Sequence, residues 1–243
     1  MEHNRPESAS PGGLSLLKPG ERLDDLKYNG LSLIQDPGLY RFTSDAVELA
    51  NFVEGGAKDY AVELGAGTGV IAVLLAAKKG IRTLAVELQQ PLYDQAVRNV
   101  RLNGLSALVE VVRAPMQELP AFFRAGSATV AVCNPPYRKA NSGKGQASES
   151  LLRARHETDV TFREVADAAA YALKEGGRLY LVHTAERLAE VIATLKSRRL
   201  EPKLLQMLSP GRKKPPHLFL LKCVKGAREG LTVKNERPID ITV

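Results

Sequence analysis

This 243-residue sequence predicts a doubly wound, mainly parallel β-sheet that ends in an antiparallel hairpin. Three observations carry that expectation. Short apolar runs alternate with stretches of helical length, the pattern of parallel strands joined by crossover helices. Two of the runs, 83–87 (TLAVE) and 129–133 (TVAVC), are almost continuously apolar, as strands covered on both faces require. After Arg199 the rhythm changes, and two strand-like runs follow with no long helix between them.

The elements follow in order. Residues 1–20 hold three Pro, three Gly and three Ser without a sustained period and read as a mobile tail; 21–243 reads as a single domain. Val47, Ala50 and Phe52/Val53 lie at helical spacing within 45–53. Strand 60–64 precedes an Ala/Leu-rich helix at 70–79, and strand 82–87 precedes a helix at 91–103 with Pro91 in its first turn. Strand 108–112, a short helix at 116–124 and strand 128–133 come next. A helix over 160–174 is expected to stop at Gly176-Gly177, where a C-cap belongs. Strand 178–183 and a helix over 185–198 complete the alternation. Runs 202–208 and 217–224 should pair antiparallel across the SPGRKKPP loop.

Composition narrows the class. A hydrophobic content of 44% supports a real core and excludes wholesale disorder. No stretch approaches the roughly 20 apolar residues of a bilayer span, and the first residues lack an apolar signal core. Two cysteines make neither a disulfide framework nor a CxxC metal pattern. The expectation is a soluble, cytoplasmic protein with no membrane and no metal. Net charge is +7 but unevenly placed. From Arg198 to Arg228 nine basic residues face one acid, Glu201; from Arg138 to His156 five face Glu149. Clusters of this kind predict phosphate-facing surfaces, with solvated loops as the alternative.

Two motifs carry chemistry. Glu63-Leu-Gly65-Ala-Gly67-Thr-Gly69 lies between a strand and a helix, where glycines let the backbone turn and approach a ligand closely. Glu87 ends the next strand, where a carboxylate accepts hydrogen bonds from ribose hydroxyls. The pair predicts an adenosine-containing cofactor without separating a nicotinamide from S-adenosylmethionine. Asn134-Pro135-Pro136-Tyr137 follows strand 128–133 directly and decides between them. An amino group conjugated to a ring is a poor nucleophile because its lone pair is delocalised. The Asn134 side-chain oxygen and the Pro135 carbonyl can accept its two N–H bonds, localising that lone pair and stabilising the charge that grows on nitrogen. The prolines stiffen the loop and remove competing donors, and Tyr137 offers a face to a planar group.

With these motifs in order, the sequence resembles the Rossmann-like class I methyltransferases that use S-adenosylmethionine on amino groups. The segments Tyr40-Arg41-Phe42-Thr43-Ser44-Asp45-Ala46-Val47 and Ala154-Arg155-His156-Glu157 make it similar, over about 21–243, to bacterial tRNA(Val) adenine-N(6) methyltransferases. The resemblance implies methylation of the purine beside the anticodon, with tRNA as partner. It also implies that the turn 42–45 holds the methionine end of the cofactor, Asp45 meeting its ammonium group; Asp45 also reads as a helix N-cap. Such enzymes carry an acidic or amide residue for the cofactor's adenine after the third strand, but Ala114 stands there, leaving Gln117 or a backbone group. Arg138, Lys139, Arg155, Arg212, Lys213 and Lys214 are the candidate RNA contacts. The loop 138–150 is expected to order on RNA. Rival readings are guanine in rRNA, protein glutamine, or a non-catalytic RNA-binding protein. His183 reads as a satisfied core histidine, Cys133 and Cys223 as small buried residues, and Phe122 and Phe123 as core. Oligomeric state is open.

Overall fold

The computed structural model describes residues 15–39, 44–137, 160–211 and 214–239. Its elements are β1 (Arg22–Asp25), β2 (Ser32–Gln35), α1 (Ser44–Phe52), β3 (Tyr60–Leu64), α2 (Val70–Lys79), β4 (Arg82–Glu87), α3 (Gln90–Leu102), β5 (Val109–Arg113), α4 (Leu119–Phe122), β6 (Ala128–Cys133), α5 (Phe162–Ala172), β7 (Leu173–Thr184), α6 (Leu188–Lys196), β8 (Leu200–Ser209), β9 (Leu218–Lys225) and β10 (Thr232–Pro238). Eight strands form one sheet in the order β10-β8-β9-β7-β6-β3-β4-β5. Strands β5, β4, β3, β6 and β7 are parallel; β9 is antiparallel to both β7 and β8. The expected doubly wound sheet with its closing hairpin is therefore what the chain forms.

Alternation along each strand divides the core in two. Ala61, Val130, Val132, Tyr180 and Val182 face α1, α2 and α3, whereas Val62, Ala131, Cys133, Leu179 and Leu181 face α5 and α6. Side chains of period two on a sheet covered from both sides require this, and it is why the strands read as unbroken apolar runs. Each large apolar side chain removed from water stabilises the fold by about 1.5–3 kcal/mol.

Two expectations change, and two features had none. The helix before β7 stops at Ala172, and Gly176-Gly177 lies inside β7. Leu173 already pairs with Ala128, and the register then jumps from Leu173 to Arg178 opposite Ala128 and Val130. Gly176, at φ 72°, absorbs that irregularity within the strand. The stretch 116–124 divides into a 3-10 turn at Met116–Glu118 and the single turn α4; Phe123 is buried, but Phe122 is 40% exposed. The turn ends at Phe122 and the chain is extended at Phe123 (φ −129°, ψ 130°), so the two rings leave the backbone in different directions. The tail contributes β10, laid parallel to β8. Before α1, β1 and β2 form a hairpin outside the main sheet.

That hairpin is held by an amide ladder on α3. Asn103 accepts the Ser32 N–H (3.1 Å) and donates to the Ser32 carbonyl (2.8 Å). One turn earlier Asn99 accepts the Ile34 N–H (2.6 Å) and donates to the carbonyls of Ile34 (3.3 Å) and Thr68 (2.9 Å). Residues four apart share a helix face, so the two amides meet alternate residues of β2 as a neighbouring strand would. Asn99 thereby ties β2 to the loop after β3.

Candidate active site

The strand order places β3 beside β6 on one side and β4 on the other, all parallel. The loops leaving their carboxyl ends therefore share one edge, at the point where connections reverse direction across the sheet. The glycine loop leaves β3 there. Gly65 and Ala66 both donate to the Val86 carbonyl of β4 (2.9 Å each). Gly65 and Gly67 have φ of 73° and 56°, a region that suits glycine. At Gly69, φ 80°, a Cβ would also stand 3.2 Å from that of Ala96, so this residue lets α3 approach the start of α2.

Gly69 cannot cap α2 with a side chain, and Glu63 does so from below: its Oε2 accepts the Ala72 N–H at 2.9 Å. Glu63 is 1% exposed. Burial pushes its carboxyl well above the usual range; the Ala72 hydrogen bond opposes the shift and the Glu87 carboxylate adds to it. Glu87 accepts from Gly67 N–H through one oxygen and from Gln89 N–H through the other, both at 2.8 Å. Burial raises this carboxyl too, against the pull of those bonds. Each oxygen keeps a second lone pair for a hydroxyl donor.

The Asn134 loop leaves β6 on the same edge. Asn134 lines one cleft with Glu63, Gly65, Gly67, Thr68 and Ile71. Pro135 is buried, and Asn134 and Tyr137 are half-buried. The Tyr137 hydroxyl faces two acceptors, the Asp45 carboxylate and the Asn134 Oδ1, the latter at 3.0 Å. Asp45 sits one residue inside α1, 4% exposed, its other oxygen accepting the Ala46 N–H at 2.9 Å. Asp45 is therefore a first-turn residue of the helix and not its N-cap, and the carboxylate gains a partner on the Asn134 loop that spacing along the chain does not reveal.

His183 is fully buried beneath this loop, as a core histidine. Its ring lies 5.6 Å from that of Tyr137, 5.7 Å from Phe162 and 6.3 Å from Phe219. Nδ1 accepts the Thr184 N–H at 2.7 Å. Burial and the nearby Arg187 guanidinium hold its pKa down to about 4, so the ring is neutral at physiological pH. It braces Tyr137 sterically and carries no charge into the site.

Three residues bear on where the adenine of the cofactor would lie. The Ala114 N–H donates to the Glu87 carbonyl (3.1 Å), and the Gln117 amide is engaged with Glu164 of α5 (3.0 Å). Met116 stands by the glycine loop, its Cε 3.9 Å from where a Gly65 Cβ would be. Half-buried on a short 3-10 turn, with no motif around it in sequence, this residue gave no signal. An apolar thioether beside a bare glycine backbone suits a purine face. Carboxylate, glycine loop and thioether together fit S-adenosylmethionine, which supplies an electrophilic methyl group to such a cleft. Glu87 would hold the ribose and the loop backbone the methionine portion.

Among the described residues of the basic segment from Arg198 to Arg228, most have acidic or carbonyl partners within the fold. Arg198 pairs with Asp167 (2.7 Å) and Arg199 with Glu175 (3.3 Å). Lys203 donates to the Arg228 carbonyl (3.1 Å), and Lys222 pairs with Glu54. Lys225 caps the end of α5 on the carbonyls of Ala170 (2.6 Å) and Leu173 (2.7 Å). Lys214 is exposed on the β8–β9 connection. Arg138, Lys139, Arg155, Arg212 and Lys213 lie outside the described residues, as do the loop 138–150 and the segment 40–43. No helix among the described residues is long and apolar enough to cross a membrane.

Sheet order, glycine loop and acidic strand ends define a Rossmann-like, S-adenosylmethionine-dependent methyltransferase. A model of the methyltransferase small domain matches residues 46–198, more than half of the chain, and the chain belongs to that family. It is similar to the tRNA1(Val) (adenine(37)-N6)-methyltransferase of Shewanella woodyi, 26% identical over 186 residues, 74% of this chain and 75% of that protein. The protein of the same description from Shewanella sediminis is 22% identical over 199 residues, 80% of each chain. The crystal structure of a predicted O-methyltransferase from Agrobacterium tumefaciens has the same fold, with a TM-score of 0.63 at 22% identity over 82% of this chain and 88% of that one.

Proposed function

We propose that this protein transfers the methyl group of S-adenosylmethionine to the exocyclic N6 of an adenine in tRNA, the purine next to the anticodon of tRNA(Val). The observation that carries the reading is the placement of Asn134 in one cleft with Glu63 and the glycine loop. A side-chain acceptor beside the cofactor loop is what an amino nucleophile needs. Asn134 and the Pro135 carbonyl accept the two N–H bonds of the incoming amine, drawing its lone pair out of the ring. Tyr137 presents its ring to the base. The loop's stiffness supplies placement, the main rate term when no strong base is required. The amine sheds its proton after transfer. Glu87 and the backbone of Gly65, Gly67 and Gly69 hold the cofactor, with Glu63 shaping the loop and Asp45 near its methionine end. A base in an anticodon loop leaves its stack at low cost. Arg138, Lys139, Arg155, Arg212, Lys213 and Lys214 are assigned to RNA phosphates, in a cytoplasmic, single-domain enzyme spanning 21–243.

The names of the two Shewanella relatives support the same substrate. The test is incubation with labelled cofactor and, separately, tRNA, rRNA, DNA and release-factor protein, followed by nucleoside and amino-acid analysis. N6-methyladenosine in tRNA, lost in Asn134→Ala, is the expected result. Label in guanosine or glutamine overturns the acceptor. Absence of S-adenosylmethionine binding by calorimetry favours a non-catalytic RNA-binding protein.

A further inference from the structure

We infer that Gln95 is a positioning residue for the cofactor cleft: it is the open third rung of the amide ladder on α3, and it closes on the Asp36 backbone when S-adenosylmethionine occupies the cleft. The inference rests on the cofactor assignment and not on which molecule is methylated. Asn103, Asn99 and Gln95 stand four residues apart along one face of α3 and its C-cap. Ser32, Ile34 and Asp36 stand two apart along β2 and its exit. The first two rungs are filled, Asn103 on the Ser32 backbone and Asn99 on that of Ile34. A strand continued by one residue would turn the Asp36 N–H and C=O toward α3 in the same way. Four residues of helix rise about 6.0 Å and two residues of strand about 6.8 Å, so the strand gains roughly 0.8 Å per rung. By the third rung the reach must grow by roughly one methylene, and the third side chain is glutamine.

This rung is nevertheless open. Gln95 is 1% exposed, and neither its Oε1 nor its Nε2 has a hydrogen-bond partner. Gln35, immediately before Asp36, is equally buried with both amide atoms unpaired. The Asp36 carbonyl accepts from Leu39 at 3.1 Å, in a turn that leaves β2 one residue early. Buried amides without partners are costly, and beside a completed ladder they mark a second arrangement of the same residues. The place of the rung says what selects that arrangement. α3 starts beside Glu87, which accepts the Gln89 N–H, so Gln95 lies nearer the cleft than Asn99 does. Asn99 already holds the carbonyl of Thr68, which lines the cleft, and Ala96 lies against Gly69. From Asp36 the chain leads to α1, whose Ala46 lines the same cleft. Closing the third rung therefore draws the entry to α1 toward the glycine loop, one wall of the cleft toward the other.

Residue 37 is proline, so Asp36 carries the N–H that closes the rung. In the full-length protein its hydrogen exchange, read by NMR, should slow by about 10-fold on saturation with S-adenosylmethionine, as a gained hydrogen bond requires. In Gln95→Met, which keeps the length without the amide, that slowing should vanish. Calorimetry should show this variant binding the cofactor about 10-fold more weakly. Without cofactor its denaturant midpoint should equal or exceed that of the parent, because two unpaired polar atoms leave the interior. A merely structural residue does the reverse and lowers the midpoint, as Asn99→Ala should. A lowered midpoint in Gln95→Met shows a rung already closed. Unchanged cofactor affinity, or unchanged Asp36 exchange in the parent, shows a rung that does not close. Each of these results overturns the inference. The parent's exchange needs no variant and no acceptor substrate, so the outcome is separate from the RNA reading.

Discussion

Two regions stand out in the sequence, the glycine and Asn134 motifs and the basic run from Arg198 to Arg228, and folding treats them in opposite ways. The first pair lies 71 positions apart, from Glu63 to Asn134, yet meets in one cleft. The second is contiguous, yet among its described residues Arg198, Arg199, Lys222 and Lys225 turn to Asp167, Glu175, Glu54 and backbone carbonyls of separate elements. A motif tied to a strand end survives folding because all parallel strands of a sheet finish on one edge. A charge count along a β-hairpin does not survive, because alternate side chains leave in opposite directions.

Variants on the two regions should therefore separate cleanly. The largest effect is expected at Glu87. If Glu87 holds a ribose as proposed, Glu87→Ala removes two charge-assisted bonds of about 1.5–3 kcal/mol each, and calorimetry should show cofactor affinity lower by about 10²-fold to 10⁴-fold. Lys222→Ala and Lys225→Met should leave that affinity unchanged. Next comes Asn99→Ala, which strips hydrogen bonds from the backbone of Ile34 and Thr68. Chemical denaturation should register a loss of about 3 kcal/mol. Asn103→Ala, half-buried, should lose about 1 kcal/mol.

Glu63→Gln probes the glycine side by pH. The raised carboxyl means that the folded chain keeps a proton which the unfolded chain releases above pH 4.5. Stability from this group is therefore complete below 4.5 and is lost as pH rises through the raised folded value. Glutamine keeps an acceptor for Ala72 without the ionisation. The variant should match the parent in denaturant midpoint at pH 4 and exceed it at pH 8, while binding cofactor more weakly. An equal midpoint at pH 8 would show that Glu63 ionises in the fold without cost.

The smallest effects belong to the basic region. Lys214→Ala should reduce the slope of log affinity for tRNA against log salt by about 0.7, the value for one phosphate contact on a single strand. Arg198→Ala should leave the slope alone and barely move the denaturation midpoint, as exposed ion pairs do. An Arg198 variant with the larger effect on tRNA would restore the contiguous basic surface that the charge count implies.

Much of the fold was legible because burial on both faces writes strands as apolar runs and because glycine and proline punctuate them. The strands β3, β4 and β6, the helices after them and the hairpin β8–β9 follow from that pattern. What was missed had no periodic signal. β10 is exposed along its whole length, so no alternation marks it. β2 owes its place to Asn99 and Asn103, which read as ordinary polar positions on an amphipathic helix. Gly176-Gly177 resembles a helix stop because a C-cap and a strand irregularity ask for the same positive φ. At the site, Glu63, Gly65, Gly67, Gly69, Glu87 and Asn134 were visible as motif residues. The bond between Asp45 and Tyr137, the ring of His183 beneath it and Met116 beside the glycine loop were not.

The sequence by itself determined the class of architecture, the cofactor chemistry and the motif residues, because each depends on local pattern: period two, helical spacing, glycine conformations, an acceptor side chain after a strand. Only the tertiary structure decided which of those residues touch. It gave the Asp45 carboxylate a partner on the Asn134 loop and drew most of the basic run into ion pairs and caps. Those outcomes depend on strand order and on which face each side chain leaves, and distance along the chain contains neither.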